Sequence, residues 1–274
     1  MAGSGHRHFL ADALQPAPRY IRRNPEKCTQ EELEQALGER IIPVAQVPDA
    51  YQLYAGDIRH LPEFQQGWFY VQDLASQICS LAIGAKAGET VLDLCAAPGG
   101  KTCTMALQMQ GGGKVLAFDL AQSRVGLIAE NVRRLGLTNV TAMQGDAAVY
   151  QPELAGADRV LCDVPCSGLG VLRRKPEVKE KQPEELAQLP PVQLAILENA
   201  ARYVKQGGVL QYSTCTILPE ENQKVVAQFL AHHPDFRLCP VLPEWGGVFA
   251  EPMLTLLPEI CGSDGFFVAK MQRK

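Results

Sequence analysis

From about residue 70 to its end the sequence alternates short apolar runs with helical periodicity, and this alternation limits the possible folds more than any other feature. VLDLC opens the series, and KVLAFD ends a second strand at Asp119. A helix is predicted over residues 123–135, with Val125, Ile128, Val132 and Leu135 on one face and Gly136 as its stop. NVTAM and DRVLCD read as the next two strands. A long helix follows, with Leu194, Leu197, Ala201 and Val204 at helical spacing and Gly207-Gly208 as its stop. VLQY is the fifth strand, Pro219 opens a helix through Val225, Val226, Phe229 and Leu230, and GFFVAK closes the chain as a strand. Repeated βα units predict an α/β protein with a mostly parallel sheet covered on both faces. Ligands in such sheets bind at the carboxyl ends of the strands. Residues 1–65 are richer in Pro and Arg and lack the rhythm, so they are expected to form a small N-terminal subdomain, with residues 66–274 as the main domain.

The series contains VLDLCAAPGGKT, whose last letters resemble the end of a triphosphate-binding loop. That loop needs a Gly five residues ahead of its Gly-Lys-Thr, so that successive N–H groups can wrap a phosphate. Here that position is Cys95, followed by Ala96, Ala97 and Pro98, and Pro98 has no N–H to offer. What remains is a strand, a tight glycine turn and a helix. Three acids sit just past three successive strands: Asp119 in AFDL, Asp146 in QGDA and Asp163 in LCDVP. An acid ending the second strand is placed to hold a ribose through its hydroxyls. Capping of the next helix is the plain alternative for any one of them. Together beside the glycine turn they favour a nucleoside ligand. APGG lacks the GxGxxG of dinucleotide sites, so S-adenosyl-L-methionine, with a ribose and adenine but no phosphate, fits better.

Cysteine usage bears on both compartment and chemistry. Nine cysteines, an odd number scattered singly, argue for free thiols in a reducing cytoplasm. No CxxC pair occurs and there are only five histidines, so no structural metal is expected. The start, MAGSGHRHFL, has no signal-peptide core, and no apolar run approaches the ~20 residues of a membrane span. Cys28, Cys79, Cys95, Cys103, Cys162, Cys239 and Cys261 read as inert core fillers. Cys166 in DVPCSGLG and Cys215 in YSTCT differ, because each follows a strand and has turn-forming or polar neighbours. Two thiols ending adjacent strands, with Asp163 between them and the cofactor turn, make a coherent catalytic set. The C5 carbon of a pyrimidine is a poor nucleophile. A thiolate adding to C6 turns the ring into an enamine whose C5 can attack a methyl sulfonium. A carboxyl group at N3 and the exocyclic amine can stabilise the charge that develops.

These residues carry a resemblance. VQDLASQ, VLDLCAAPGGKT, NVRRLGL, DVPCSGLGVLRRKPEVK, GGVLQYSTCTILPEEN and DGFFVAK occur in this order, and the chain resembles the RNA 5-methylcytosine methyltransferases over nearly everything from residue 70 onward. The resemblance implies a Rossmann-like class I methyltransferase fold with a seven-stranded sheet, beside a small α+β RNA-binding subdomain begun by PRYIRRNP. It implies Cys215 as nucleophile, Cys166 as the group assisting product release, and Asp163 at the target cytosine with help from Lys101. Cys95, Ala96, Ala97, Pro98, Gly99, Gly100 and Lys101 would line the methionine part of the cofactor. Asp119 would meet the ribose and Asp146 the adenine, with Arg124 and Asp163 also at the cofactor. GVLRRKPEVK points to 16S ribosomal RNA as the partner of an enzyme expected to act as a monomer. Family members usually carry a further N-terminal helical domain similar to an antitermination factor, for which this chain has no room: a fragment or a natural short form.

The net charge of −4 gives no global pull toward nucleic acid, so RNA contact must be local. Arg19, Arg22, Arg23 and Lys27 form one basic cluster, and Arg173, Arg174, Lys175, Lys179 and Lys181 a second. The first is poor in nearby acids and is expected to meet phosphates; Arg173, Arg174 and Lys175 of the second are also candidate RNA contacts, with four glutamates diluting that cluster. A DNA cytosine methyltransferase is disfavoured by STCT and by the lack of an ENV-like motif. A transfer-RNA substrate and a non-catalytic ribosome-assembly factor remain as rivals.

Overall fold

The structure, a computed structural model, describes residues 15–54 and 56–274. The opening MAGSGHRHFL lies outside the described residues. A four-stranded antiparallel sheet comes first, in the order β2-β3-β1-β4. Its strands are β1 (Arg19–Arg23), β2 (Ile41–Pro43), β3 (Ala50–Leu53) and β4 (Phe69–Val71). The fourth strand lies past residue 65, because Ile21, Arg22 and Arg23 pair with Val71, Tyr70 and Phe69. Helix α1 (Gln30–Leu37) starts with a reciprocal capping box between Thr29 and Glu32. It buries Leu33 and Leu37 in a small core with Ile21, Tyr51, Leu53 and Phe69.

The main sheet runs β10-β12-β9-β8-β5-β6-β7, with β11 paired to β12. Its strands are β5 (Thr90–Asp93), β6 (Lys114–Asp119), β7 (Val140–Gln144), β8 (Ala157–Asp163), β9 (Val204–Thr214), β10 (Phe236–Leu238), β11 (Met253–Leu256) and β12 (Phe266–Arg273). The five strands from β9 to β7 are parallel, and β12 runs antiparallel to β9. The sheet therefore has eight strands where seven were expected, β11 being the addition. Helices α2 (Leu74–Ala82), α3 (Gly100–Gln108), α4 (Gln122–Leu135), α5 (Leu189–Ala201) and α6 (Gln223–His232) cover it. Two apolar clusters fill the two faces, one around Ile78, Met105 and Val268 and the other around Leu197, Tyr212 and Phe229. Among the described residues no helix is long and apolar enough to cross a membrane.

Two local expectations need correcting. Val204 does not continue α5, which ends at Ala201, but begins β9. Gly207 and Gly208 lie inside that strand instead of stopping the helix. The register with β8 shifts there, Ala157 pairing Val204 and Arg159 pairing Val209, so the extra β9 residues bulge. A Cβ on Gly208 would sit 2.9 Å from the carbonyl oxygens of Asp158 and Lys205, which explains the glycine. Likewise α6 begins at Gln223; Pro219 lies in the turn before it, its carbonyl accepting from Lys224 N–H at 3.0 Å.

Candidate active site

The order of the parallel strands reverses beside β5, whose neighbours are β6 and β8, and such a point opens a crevice at the carboxyl ends. Leu94 N–H donates to Leu161 O at 3.0 Å and Ala96 N–H to Phe118 O at 2.7 Å, so both neighbouring strands hold the turn after β5. Gly99 caps α3 at φ +104°, and a Cβ there would come within 3.2 Å of the Ile128 backbone on α4. An L side chain fits neither that conformation nor that approach. Over the turn opens a cleft lined by Cys95, Ala96, Ala97, Pro98, Gly100, Lys101 and Asp163 from the expected set. Gly99 itself faces α4.

Two expected cofactor acids lie outside the lining. Asp119 is buried, and its carboxylate accepts Ala97 N–H at 3.3 Å and Ala121 N–H at 3.2 Å, with the Arg124 guanidinium 3.4 Å away. Arg124 also donates to Ala97 O at 3.3 Å, so acid and base together clasp the glycine turn. Asp146 is exposed and takes Ala148 N–H at 2.9 Å, a local turn bond.

Residues that sequence reasoning did not single out complete the cleft: Gln72, Asp73, Ser76 and Asp93. Asp93 is fully buried; Thr102 Oγ1 donates to its Oδ2 at 2.7 Å, while Oδ1 has no partner. Burial pushes its pKa up to about 7, with the Asp163 charge adding to the rise and the Thr102 bond opposing it. An orphaned carboxylate oxygen on a cleft wall calls for a cationic donor, and the ammonium of a methionine moiety is one. The donor set thus fits S-adenosylmethionine. The signal was in the sequence, since Asp93 is itself the end of a strand.

Also lining the cleft, Lys101 Nζ lies 2.7 Å from Asp163 Oδ2, 3.4 Å from Ser76 Oγ and 5.1 Å from the centroid of the Phe266 ring. Burial alone would lower the Lys101 pKa, but the Asp163 carboxylate and its hydrogen bond outweigh burial and leave it raised, so Lys101 is an ammonium. Ser213 Oγ donates to the other Asp163 oxygen at 2.7 Å.

The two singled-out thiols meet, Cys166 Sγ lying 3.2 Å from Cys215 Sγ. Hydrogen bonding between them raises the Cys166 pKa well above the usual thiol value, with burial adding to the rise. The same bond lowers that of Cys215, aided by the Lys101 and Lys175 charges against burial and Asp163. The two opposite shifts favour Cys166 over Cys215 as the thiol that keeps its proton. Backbone contacts tie their loops together: Gly170 N–H donates to Cys215 O at 3.0 Å and Gly265 N–H to Gly170 O at 2.8 Å. A Cβ on Gly170 would sit 2.1 Å from Gly265 O, so no other residue fits without moving the strand end. Of the remaining cysteines, Cys28, Cys79, Cys103 and Cys162 are core residues, Cys95 lines the cleft, and Cys239 and Cys261 are partly exposed rather than core.

The basic clusters divide differently from expectation. Arg22 is 6% exposed, donating to Pro48 O at 2.8 Å and Gln77 Oε1 at 3.3 Å. Arg23 bonds Asp49 and Cys28 O. Arg173 and Arg174 both bind the buried Asp264, and Arg174 also donates to Asp73 at 2.8 Å and Pro18 O at 2.7 Å. Arg22, Arg23 and Arg173 hold the fold together, so the expectation that these three face phosphates does not stand, and their acids lie far away in sequence; Arg174 makes its bonds while staying exposed. Arg19, which donates to Gly56 O at 2.8 Å, and Lys175 are exposed.

Fold, glycine turn and cleft define a Rossmann-like S-adenosylmethionine-dependent methyltransferase. The family model for 16S rRNA methyltransferase RsmB/F matches residues 80–272, and the chain belongs to that family. It is 41% identical over 272 residues to the probable ribosomal RNA small subunit methyltransferase B of Bacillus subtilis (strain 168), covering 95% of this chain and 61% of that protein. The ribosomal RNA small subunit methyltransferase B of Escherichia coli O6:H1 (strain CFT073) is 40% identical over 245 residues, covering 86% and 54% respectively. The chain thus spans between 54 and 61% of these relatives' lengths. Among solved structures, PH0851 superimposes with a TM-score of 0.92 at 33% identity, covering 100% of this chain and 63% of that one. A methyltransferase homolog protein from Pyrococcus horikoshii follows with a TM-score of 0.86 at 28% identity, covering 100% and 92%.

Proposed function

We propose that this chain methylates C5 of a cytosine in 16S ribosomal RNA, in the cytoplasm, through a covalent bond between Cys215 and C6. The observation that carries this reading is the Cys166–Cys215 contact at 3.2 Å beside the Lys101–Asp163 ion pair. S-adenosylmethionine, when bound, supplies an electrophilic methyl group. The turn at 95–101 and the Asp93 carboxylate would hold its amino-acid end, Asp119 its ribose and Asp146 its adenine. Cys215 adds to C6 of a base presented out of the stack. Asp163 accepts from the exocyclic amine, and the Lys101 ammonium offsets the negative charge that addition places on the ring. At release the C5 proton passes to water, its bonding pair forms the C5–C6 double bond, and the C6–S pair returns to Cys215. Cys166, still protonated, donates its hydrogen bond to that departing sulfur. Incubating the purified chain with S-adenosylmethionine and 16S RNA, followed by bisulfite sequencing, tests the reading. A protected cytosine supports it, and methylation of transfer RNA alone would redirect it.

Loss of Asp119 removes charge-assisted bonds to the ribose hydroxyls. Asp119→Ala is therefore expected to weaken S-adenosylmethionine binding by roughly 1.5–3 kcal/mol in calorimetry. Unchanged affinity in a folded variant would remove Asp119 from the cofactor site.

RNA contact now rests on the exposed cations. The Arg174–Pro18 bond brings the neighbouring residues Lys175 and Arg19 to adjacent parts of one surface. The double variant Arg19→Ala/Lys175→Ala is expected to reduce the salt slope of RNA binding by about 1.5 to 2 units with cofactor affinity unaltered. Arg22→Ala is instead expected to reduce stability, and equal slopes for wild type and double variant would reject the surface.

A further inference from the structure

Behind the thiol pair lies a polar pair to which the chemistry above gives no task. Glu221 and Gln193 are 1% and 0% exposed, on the turn before α6 and on α5 respectively. Glu221 Oε2 accepts Ser167 N–H at 2.9 Å and Gln193 Nε2 at 2.8 Å. The same Gln193 Nε2 donates to Pro165 O at 3.0 Å. The two side chains therefore grip the peptide groups on both sides of Cys166. Tyr212 donates its hydroxyl to Glu221 O at 2.5 Å, fixing the carboxylate's own backbone. Ser167 Oγ donates to Thr216 Oγ1 at 2.7 Å and ties the gripped segment to the residue after Cys215.

The arrangement is costly if stability is its only purpose. Glu221 Oε1 and Gln193 Oε1 are both buried without a hydrogen-bond partner. A buried carboxylate left half-satisfied destabilises relative to apolar residues of the same volume. Such costs collect where function constrains the sequence.

We infer that Glu221 and Gln193 are positioning residues, which hold the Pro165–Ser167 segment so that the Cys166 thiol stays aimed at the Cys215 sulfur during product release. This rests on the cysteine chemistry proposed above. Cys166 is on a turn rich in small residues, and without the grip its sulfur would sample other rotamers. A departing thiolate that lacks its donor leaves slowly, while addition and methyl transfer, in which Cys215 is the nucleophile, still proceed, addition more slowly at neutral pH.

The test measures RNA–protein adducts on denaturing gels after incubation with S-adenosylmethionine and 16S RNA. The variants Glu221→Leu and Gln193→Met remove the grip, and Glu221→Gln retains an acceptor for Ser167 N–H. Loss of a buried hydrogen bond to a charged group predicts roughly tenfold or more adduct over wild type in the first two. Glu221→Gln is expected to restore release most of the way. A merely structural role would lower every step together and trap no adduct. Cys166→Ala runs alongside. If it traps no adduct, the cysteine chemistry itself fails; if it traps adduct and folded Gln193→Met does not, only the positioning role is overturned. Should Glu221→Leu fail to fold, Gln193→Met, close to Gln in volume, carries the result. Failure of both to fold would mark the pair as structural and equally overturn the inference.

Discussion

Cys215→Ala is expected to abolish RNA methylation while leaving cofactor and RNA binding intact, and Cys166→Ala to trap the RNA as an adduct that survives denaturing electrophoresis. Without a thiolate at C6 the ring C5 stays a poor nucleophile, because Asp163 and Lys101 as proposed would stabilise charge and would not create the nucleophile. The asymmetry follows from the shared hydrogen bond, which lowers the Cys215 pKa and raises that of Cys166. Cys166→Ala also withdraws this support, so its addition step is expected to slow at neutral pH and recover as pH rises through the Cys215 pKa. Four gel lanes decide: wild type, each single variant and the double variant, with adduct accumulating in Cys166→Ala and absent from both variants lacking Cys215. Adduct confined to lanes with Cys166 intact and Cys215 absent would exchange the two roles. No adduct in any lane would favour the assembly-factor reading.

The largest effect on stability is expected from Asp264→Ala. Asp264 is 1% exposed and holds two guanidinium groups, that of Arg173 itself only 7% exposed. Removing the acid strands the Arg173 charge with Gly262 O as its remaining partner, and leaves Arg174 with Asp73 and Pro18 O. Breaking a buried pair on one side costs about 3–5 kcal/mol. Urea unfolding should show the loss as a lower midpoint at unchanged slope. Asp264→Asn keeps an acceptor and is expected to lose less; a loss under about 1 kcal/mol for the Ala variant would mean the arginines find other partners. Activity should fall as well. Gly265, next in the chain, binds Gly170, and Gly170 binds the Cys215 carbonyl.

Asp93 is the most informative of the residues overlooked at the level of sequence. It ends a strand as Asp119 and Asp163 do, yet those two were read at strand ends, whereas the strand reading VLDLC placed Asp93 inside its strand. Its burial within VLDLC made it look like a strand residue, and the same burial raises its pKa to about 7 and leaves one oxygen bare. The arginines erred the other way. A basic run without nearby acids looks solvated, but the acids of Arg22 and Arg23 come from Asp49 on a facing loop. Those of Arg173 and Arg174 come from Asp73 and Asp264.

Local pattern was enough for the alternation of the parallel strands with their helices, for the glycine turn after β5, and for the placing of two cysteines just past two adjacent strands. Each of these follows from side-chain period and from the few residues that tolerate a turn, both written in short stretches of chain. Long-range packing alone assigned the charges and the protons. Which thiol keeps its hydrogen, which carboxyl lacks a partner and which arginines face solvent depend on desolvation and on groups 26 to 91 residues away. Those neighbours meet only when the sheet closes. The bulge at Gly207 and Gly208 belongs with them, because only the β8 register leaves β9 residues to spare.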